Sequence, residues 1–221
     1  MSIRGVIFDL DGTLLDSTSV WSQIDVEFLA ERGFSVPPDY QTAIMALGFE
    51  DVAKYTIARF HLQESVEEVM AQWDEMARFA YEHTVRLKTG VRELLMWLNE
   101  RKIKMGIATS NSASLFEPCL HNNNIHHLFH SFTETSDVSR GKEFPDVYIE
   151  AAKKIGCKPE ECVVFEDIIP ALKSAKSGGF STIGVWEEKW GYTKKELMDV
   201  CDDVVWELQQ SIPILERRMS C

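Results

Sequence analysis

The stretch that most constrains the fold runs from Val6 to Leu15, near the start of the sequence. A short apolar run ends at Asp9 and Asp11, and Gly12 follows at once. The run is too short for a helix and the glycine marks a turn, so the pattern predicts a buried strand with two carboxylates at its carboxyl end. Because an uncompensated buried charge is costly, two acids in this position indicate a cation site at the edge of an open α/β sheet.

The formal net charge of −12 at pH 7 bears on the possible partners. We find no basic stripe that could neutralise phosphates, so we expect neither nucleic acid nor an anionic membrane as a partner. The five cysteines show no Cys-x-x-Cys spacing, which indicates reduced thiols and not a disulfide framework or a zinc site. With no apolar run of membrane-spanning length and no signal-peptide pattern, we expect a cytoplasmic protein and favour a monomer.

The hydrophobic periodicity changes along the chain. Residues 17–86 show helical spacing and no convincing strand, with a capping box that begins at Ser65. From Thr89 onward, helices alternate with short apolar strands, which is typical of a parallel sheet covered on both faces. We therefore predict an α/β fold: a Rossmann-like, doubly wound parallel sheet core formed by residues 1–16 and 87–221, with an all-helical domain, residues 17–86, inserted into it.

Further polar residues follow the later predicted strands. Ser110 and Asn111 come after the strand near 103–109, Glu166 and Asp167 follow the strand near 161–165, and Lys142 lies in a loop before a helix. Because the carboxyl ends of parallel strands share one edge of a sheet, these groups are expected to converge with Asp9 and Asp11. Carboxylate oxygens suit Mg²⁺, and a hydroxyl beside a lysine suits a phosphate group.

In order and spacing, these residues resemble the four motifs of the haloacid dehalogenase-like superfamily, and the helical insert resembles its cap domain of the first class. The similarity covers essentially the whole chain and is nearest to the phosphoglycolate phosphatase-like and β-phosphoglucomutase-like proteins. The residues that carry it are Asp9-Leu10-Asp11-Gly12-Thr13, Ser110, Lys142-Glu143-Phe144-Pro145-Asp146 and Val163-Val164-Phe165-Glu166-Asp167.

The resemblance implies a role for each of these side chains. Asp9 would attack phosphorus and form an aspartyl-phosphate, and Asp11 would protonate the leaving oxygen and then activate water. The implied Mg²⁺ ligands are Asp9, Asp11 through its backbone carbonyl, Asp167 and, as a supporting acid, Glu166.

The implied phosphate-binding residues are Ser110, Asn111 and Lys142. The expected activity is Mg²⁺-dependent hydrolysis of a small phosphorylated metabolite, such as a sugar phosphate. Because Asp11 is present two residues after the nucleophile, dehalogenation is not expected.

Two other functions stay open at the level of sequence. The first is a phosphosugar mutase of the β-phosphoglucomutase type, but Trp21 stands where the mutases carry a histidine, and an indole cannot relay that proton. The second is a catalytically silent binding or regulatory protein, which the presence of every catalytic residue disfavours. Trp21, Gly48 and Phe49 are the candidates for substrate specificity in the helical insert, and Lys88 is interpreted as a surface charge by default.

Overall fold

The structure is a computed structural model that describes residues 3–44 and 49–219, the side chain of Thr42 excepted. It divides into two compact units. One contains the described residues up to Thr18 together with those from Val85 onward, and we call it the α/β unit. The other, residues 19–84, is the helical unit.

The helical unit contains α-helices and no strand among its described residues. Its helices are α1 (Val20–Glu31), α2 (Tyr40–Ile44), α3 (Phe49–Phe60) and α4 (Val66–His83). Aromatic rings fill its interior, where Phe28 and Trp73 meet edge to face with centroids 5.4 Å apart. The capping box predicted at Ser65 is confirmed, since its hydroxyl accepts from the Glu68 amide and the Glu68 carboxylate accepts from the Ser65 amide.

The α/β unit is built on a six-stranded parallel sheet, which confirms the predicted fold class. The strands are β1 (Gly5–Phe8), β2 (Lys104–Thr109), β3 (Ser131–Glu134), β4 (Cys162–Glu166), β5 (Ser181–Val185) and β6 (Asp203–Val205), in the order β3-β2-β1-β4-β5-β6. Since β1 lies between β2 and β4, the order reverses beside it, and the carboxyl end of β1 opens into the crevice where ligands of such sheets bind.

Helices cover the sheet. They are α5 (Val91–Glu100), α6 (Ala113–Asn122), α7 (Asp146–Lys154), α8 (Ile169–Ser177), α9 (Lys194–Met198) and α10 (Ile212–Met219). The side chains of β1 are fully buried on both faces: Ile7 packs in a cluster with Val164 and Tyr148, and the Phe8 ring lies tilted against that of Phe165 with centroids 4.9 Å apart. This explains the continuous apolar run that precedes the two aspartates.

Two segments of the α/β unit run side by side where the chain leaves it and returns. The Asp16 amide donates to the Arg86 carbonyl at 2.9 Å, the Lys88 amide donates to the Leu14 carbonyl at 2.9 Å, and Leu15 forms an antiparallel bridge with Leu87. The loop after β1 is therefore hydrogen-bonded directly to the segment 86–88, through which the chain returns.

Helix α6 begins without a side-chain cap. Ser112 occupies the N-cap position with an extended backbone, but its side chain makes no capping hydrogen bond. Its hydroxyl instead lies 2.9 Å from that of Ser114, while its amide donates to the side-chain oxygen of Asn111.

Among the described residues, no helix has the length and apolar character needed to cross a membrane.

Candidate active site

The loop after β1 turns sharply at Gly12. The Leu10 carbonyl accepts from the amides of Thr13, Leu14 and Leu15, and the Gly12 amide donates to the Leu15 carbonyl at 3.0 Å. Gly12 has φ +82, which L side chains rarely adopt, and a Cβ placed there would lie 2.0 Å from Asp167 Oδ2. The turn thus requires glycine both for its backbone and for the close approach of the carboxylate.

Three carboxylates converge beside this loop. One oxygen from each of Asp9, Glu166 and Asp167 lies within 4.8 Å of the other two, and all three residues are buried. Asp9 directly follows β1, Glu166 ends β4 and Asp167 follows it, so the pairing of β1 with β4 brings them together. The expected convergence of these acids is thus observed.

Lys142 is the cation in this cluster. Its buried Nζ donates to Asp9 Oδ1 and to Glu166 Oε1, the latter at 2.6 Å. Burial disfavours the charged ammonium, but the carboxylates of Asp9 and Glu166 outweigh that effect and raise the pKa of Lys142 above its ordinary value.

The acids remain short of positive charge. Burial raises the pKa of Asp9 to about 7 against the attraction of Lys142, and Glu166 and Asp11 add to the rise. Burial and the neighbouring charges of Asp9 and Glu166 likewise hold the pKa of Asp167 well above its ordinary range. Within the described part of the chain, three carboxylates face one ammonium, so further positive charge would stabilise the ionised cluster.

Two donors that sequence reasoning missed complete the cluster. The Tyr148 hydroxyl donates to Glu166 Oε1 at 2.7 Å, and Trp190 Nε1 donates to Asp167 Oδ2 at 2.6 Å. Tyr148 comes from α7, and Trp190 lies on a short helical turn after β5. No sequence spacing marks either residue, because each reaches the acids only through the fold.

Asp11 is placed separately from the three acids. Its Oδ1 accepts from the Ser17 hydroxyl at 2.6 Å and its Oδ2 accepts from the Asn111 side-chain amide at 3.0 Å. Its carboxylate is not part of the acid group found among the described residues. The two aspartates at the end of β1 therefore lie in different surroundings.

The candidates after β2 differ from each other. The Asn111 side chain is engaged by Asp11, and its backbone amide donates to the Thr109 hydroxyl at 3.0 Å. Ser110, which lies between Thr109 and Asn111 in the sequence, is exposed to solvent. Asn111 thus orients Asp11 in this state, while the Ser110 hydroxyl is accessible.

The interpretation of Lys88 as a surface charge is wrong. Its side chain is only 13% exposed, and its Nζ donates to Glu187 Oε2 at 2.8 Å and to the Gly12 carbonyl at 2.7 Å. Because Gly12 follows Asp11, this buried pair supports the turn that carries the second aspartate. The partners are 99 and 76 residues away along the chain, so periodicity could not reveal the contacts.

The specificity candidates of the helical unit are partly accessible. Trp21 is 41% exposed and Phe49 is 36% exposed, and their rings meet edge to face with centroids 5.5 Å apart. Gly48 lies outside the described residues.

The acid cluster fits a magnesium ion. Its donors are all carboxylate oxygens, which a hard cation prefers, and the excess of buried negative charge calls for a cation. Asp9, Asp167 and Glu166 are the residues that would hold it. Trp190 and Tyr148 would not bind the metal themselves. Their hydrogen bonds would fix the orientation of the Asp167 and Glu166 carboxylates, respectively.

A comparison with known protein families agrees with this geometry. The model of the family described as haloacid dehalogenase-like hydrolase matches residues 6–185. The chain belongs to this family. The matched range contains all of the site residues at the ends of β1, β2 and β4.

Curated relatives of this haloacid dehalogenase-like hydrolase include phosphatases. A "Probable pseudouridine-5'-phosphatase" of Drosophila melanogaster is 28% identical over 89% of both chains, and Hexitol phosphatase B of Escherichia coli is 28% identical over 83% of both. The crystal structure of a beta-phosphoglucomutase from Clostridium difficile superposes with a TM-score of 0.74 and 15% identity, covering 99% of this chain and 97% of the other. That last likeness is one of fold.

Proposed function

We propose that this protein is a Mg²⁺-dependent phosphatase that hydrolyses a small phosphomonoester through an aspartyl-phosphate on Asp9. The observation that carries the proposal is the buried cluster of Asp9, Lys142, Glu166 and Asp167 at the carboxyl edge of the sheet. Phosphoryl transfer depends mainly on positioning and on neutralising oxygen charge, which such a cluster can supply. The phosphatase names among the relatives support the same reaction class.

In the first step, a carboxylate oxygen of Asp9 would attack phosphorus as the bond from phosphorus to the leaving oxygen breaks. Asp11 would give its proton to that oxygen, so that an alcohol departs. In the second step Asp11 would take a proton from water, which attacks phosphorus and releases Asp9 and inorganic phosphate. The hydrogen bonds from Ser17 and Asn111 hold the Asp11 carboxyl in a fixed orientation for both transfers.

The remaining residues would position the substrate. Lys142, held between Asp9 and Glu166, would neutralise the charge of the non-transferring phosphoryl oxygens, and the accessible hydroxyl of Ser110 would donate a hydrogen bond to them. A Mg²⁺ ion at Asp9, Asp167 and Glu166, with the Asp11 backbone carbonyl as a further ligand, would supply charge neutralisation at the phosphoryl group. We also propose that residues 17–86 act as the cap domain and that the enzyme works in the cytoplasm.

Hydrolysis is favoured over the mutase reaction by Trp21. An indole has one N–H donor and no acceptor, so it cannot relay a proton between a sugar hydroxyl and the active site. The silent binding protein is disfavoured because Asp9, Asp11 and Lys142 are all present and Asp9 is in contact with Lys142.

The test is phosphate release from a panel of sugar phosphates and nucleoside monophosphates with Mg²⁺, with Asp9→Asn as the matched control. We expect release by the native protein, its loss on chelation with EDTA and its loss in Asp9→Asn. Release that is equal in the native protein and the variant would contradict the proposal. Conversion of β-glucose 1-phosphate to glucose 6-phosphate with little free phosphate would identify a mutase instead.

A further inference from the structure

Two of the five cysteines, Cys157 and Cys162, lie close together at the start of β4. After α7 the chain turns at Gly156, which has a φ of +72, and the Cys157 amide donates to the Ala152 carbonyl at 2.9 Å. A short helical turn, Pro159–Glu161, then leads the chain into the sheet, where β4 begins at Cys162. This reversal of the chain places the two cysteines on neighbouring segments.

The space between the two sulfurs is left open by Gly5 on β1. A Cβ built on Gly5 would lie 2.8 Å from the Cys162 Sγ and 3.2 Å from the Cys157 Sγ. Gly5 is also the register partner of Cys162 in the pairing of β1 with β4. The two sulfurs therefore converge on one point of the sheet, which gives them the approach that a disulfide requires.

The two thiols influence each other and differ in exposure. Burial raises the pKa of Cys162 well above its ordinary value, and Cys157 adds to the rise. Burial also raises the pKa of Cys157, but Cys162 and the positive charge of Arg4 oppose that rise. Cys162 is 1% exposed, whereas Cys157 is partly exposed. An oxidant in solvent therefore reaches Cys157 first, and Cys162 is the neighbouring thiol that can react with the oxidised sulfur.

Cys119 and Cys201 have different surroundings. Both are buried, Cys119 within α6 and Cys201 after α9. In the part of the chain that the structure describes, the groups that mainly shift the pKa of either cysteine include no second thiol. The close approach beside Gly5 thus distinguishes one pair of cysteines from the others.

We propose that Cys157 and Cys162 are an oxidation site, at which a hydroperoxide converts the two thiols into an intramolecular disulfide. The Cys157 thiolate attacks one peroxide oxygen, the O–O bond breaks, and a sulfenic acid forms on Cys157 as hydroxide leaves. The Cys162 sulfur then attacks the Cys157 sulfur and gives up its proton, and the S–O bond breaks to release water. In total the two thiols lose two electrons, and hydrogen peroxide is reduced to two molecules of water.

The disulfide lies away from the acid site. Cys162 begins β4 and Glu166 ends it, so the new bond joins the end of α7 to the opposite edge of the sheet. Because the thiolate is the nucleophile and the pKa of each thiol is raised, we expect slow oxidation, over minutes to hours at neutral pH. Its chemical effect is protection, since a disulfide can be reduced again whereas sulfinic acid on Cys157 cannot.

The test is a peptide map of the native protein after treatment with hydrogen peroxide and alkylation of the free thiols, without reduction. Glu-C protease cleaves after Glu160 and Glu161, between the two cysteines, so the disulfide appears as a linked pair of peptides. We expect this pair to form with a loss of about 2 Da, and to separate on treatment with dithiothreitol. The map needs no variant, so the result does not depend on whether a variant folds.

Two variants show whether Cys162 reacts with the oxidised Cys157. In Cys162→Ser we expect a gain of about 32 Da at Cys157, because without the second thiol the sulfenic acid is oxidised further to sulfinic acid. Cys201→Ser is the control that should still form the linked pair, since a hydroxyl can donate to the Leu197 and Asp203 carbonyls that accept from the thiol.

Two results would overturn the assignment of this oxidation site. One is that the peptides of Cys157 and Cys162 from peroxide-treated native protein are alkylated and unlinked. The other is that sulfinic acid forms on Cys157 equally in the native protein and in Cys162→Ser. Neither result bears on the proposed phosphatase activity, which depends on the acids at the other end of β4.

Discussion

At the scale of single residues, the site is defined by how few cations oppose its acids. Lys142 bridges Asp9 and Glu166, and the neutral donors are Tyr148, on the Glu166 oxygen that also accepts from Lys142, and Trp190, on Asp167. Neutral donors can orient a carboxylate without cancelling its charge. The cluster therefore keeps its attraction for a divalent cation while its geometry stays fixed.

The Trp190 hydrogen bond gives a direct test of this view. In Trp190→Phe the ring is kept but Asp167 loses its 2.6 Å donor, so we expect Mg²⁺ affinity to fall about tenfold. Titration calorimetry on metal-free protein measures it, and Trp206→Phe, another half-exposed tryptophan, is the control. Equal affinities in all three proteins would show that the indole does not orient the ligand.

Lys88 gives a second test, of stability. In Lys88→Met the Glu187 carboxylate loses its partner in a mostly buried position, so we expect the free energy of unfolding to fall by about 2–4 kcal/mol. Urea denaturation measures the change. Adding Glu187→Leu should restore most of it, because the uncompensated charge is then removed. If the double variant is no more stable than the single one, the ion pair is not the cause.

The acids and Asp11 could be predicted from sequence because they lie at strand ends, which parallel topology brings to one edge of the sheet. Lys142 was predicted to join them from the loop before α7. Lys88 and Trp190 could not be predicted, since each contacts a partner far along the chain from a loop without periodicity. The predicted roles of Asp9, Asp11 and Ser110 stay predictions until activity is measured.

At the scale of elements, the turn after β1 is the most constrained feature. Gly12 combines a positive φ with close contact to Asp167, whereas Gly33, just after α1, has a positive φ of 78 and open space within 4 Å of the point where a Cβ would lie. Alanine substitutions at the two positions therefore distinguish the cost of backbone strain from the cost of steric contact.

We expect Gly33→Ala to cost about 1 kcal/mol of stability and Gly12→Ala to cost more, because the added methyl displaces Asp167. Gly12→Ala should also weaken Mg²⁺ binding, which Gly33→Ala should not. Thermal unfolding and calorimetry measure the two effects. Matching losses in both variants would mean that Asp167 moves aside without consequence.

Helix α4 allows a matched test of capping. Ser65→Ala removes the side-chain cap from the Glu68 amide and should cost about 1 kcal/mol, seen as faster amide exchange in the first turn of α4. Ser112→Ala removes a serine from the N-cap of α6, where the side chain makes no capping bond, and should change exchange there less. A larger effect at Ser112 would contradict this assignment.

The strand and helix predictions were accurate where the period and the cap residues agree, as in α4. At α6 the polar run 110–112 is typical of a cap, but the Ser112 side chain makes no capping hydrogen bond. There the Asn111 side chain accepts from the Ser112 amide and donates to Asp11, so local hydrogen bonding serves the site and not the helix.

At the scale of the whole molecule, the charge repulsion within the acid site lowers the stability of the folded protein. The chain carries a net charge of −12, and three buried carboxylates of that total lie together at Asp9, Glu166 and Asp167. Charge repulsion within a fold lowers its stability, and functional sites are often maintained at such a cost. A bound cation should relieve it by linkage to the folded state.

Asp167→Asn tests this opposition. The substitution removes one of three crowded negative charges, and the amide oxygen of the new side chain can still accept from Trp190. We therefore expect the free energy of unfolding of the metal-free protein to rise by about 0.5–2 kcal/mol. Mg²⁺ should raise the melting temperature of the native protein and have little effect on the variant, because the metal loses a charged ligand. Scanning calorimetry with and without Mg²⁺ measures both. A variant that is less stable than the native protein without metal would show that Asp167 contributes more through its hydrogen bonds than it costs through repulsion.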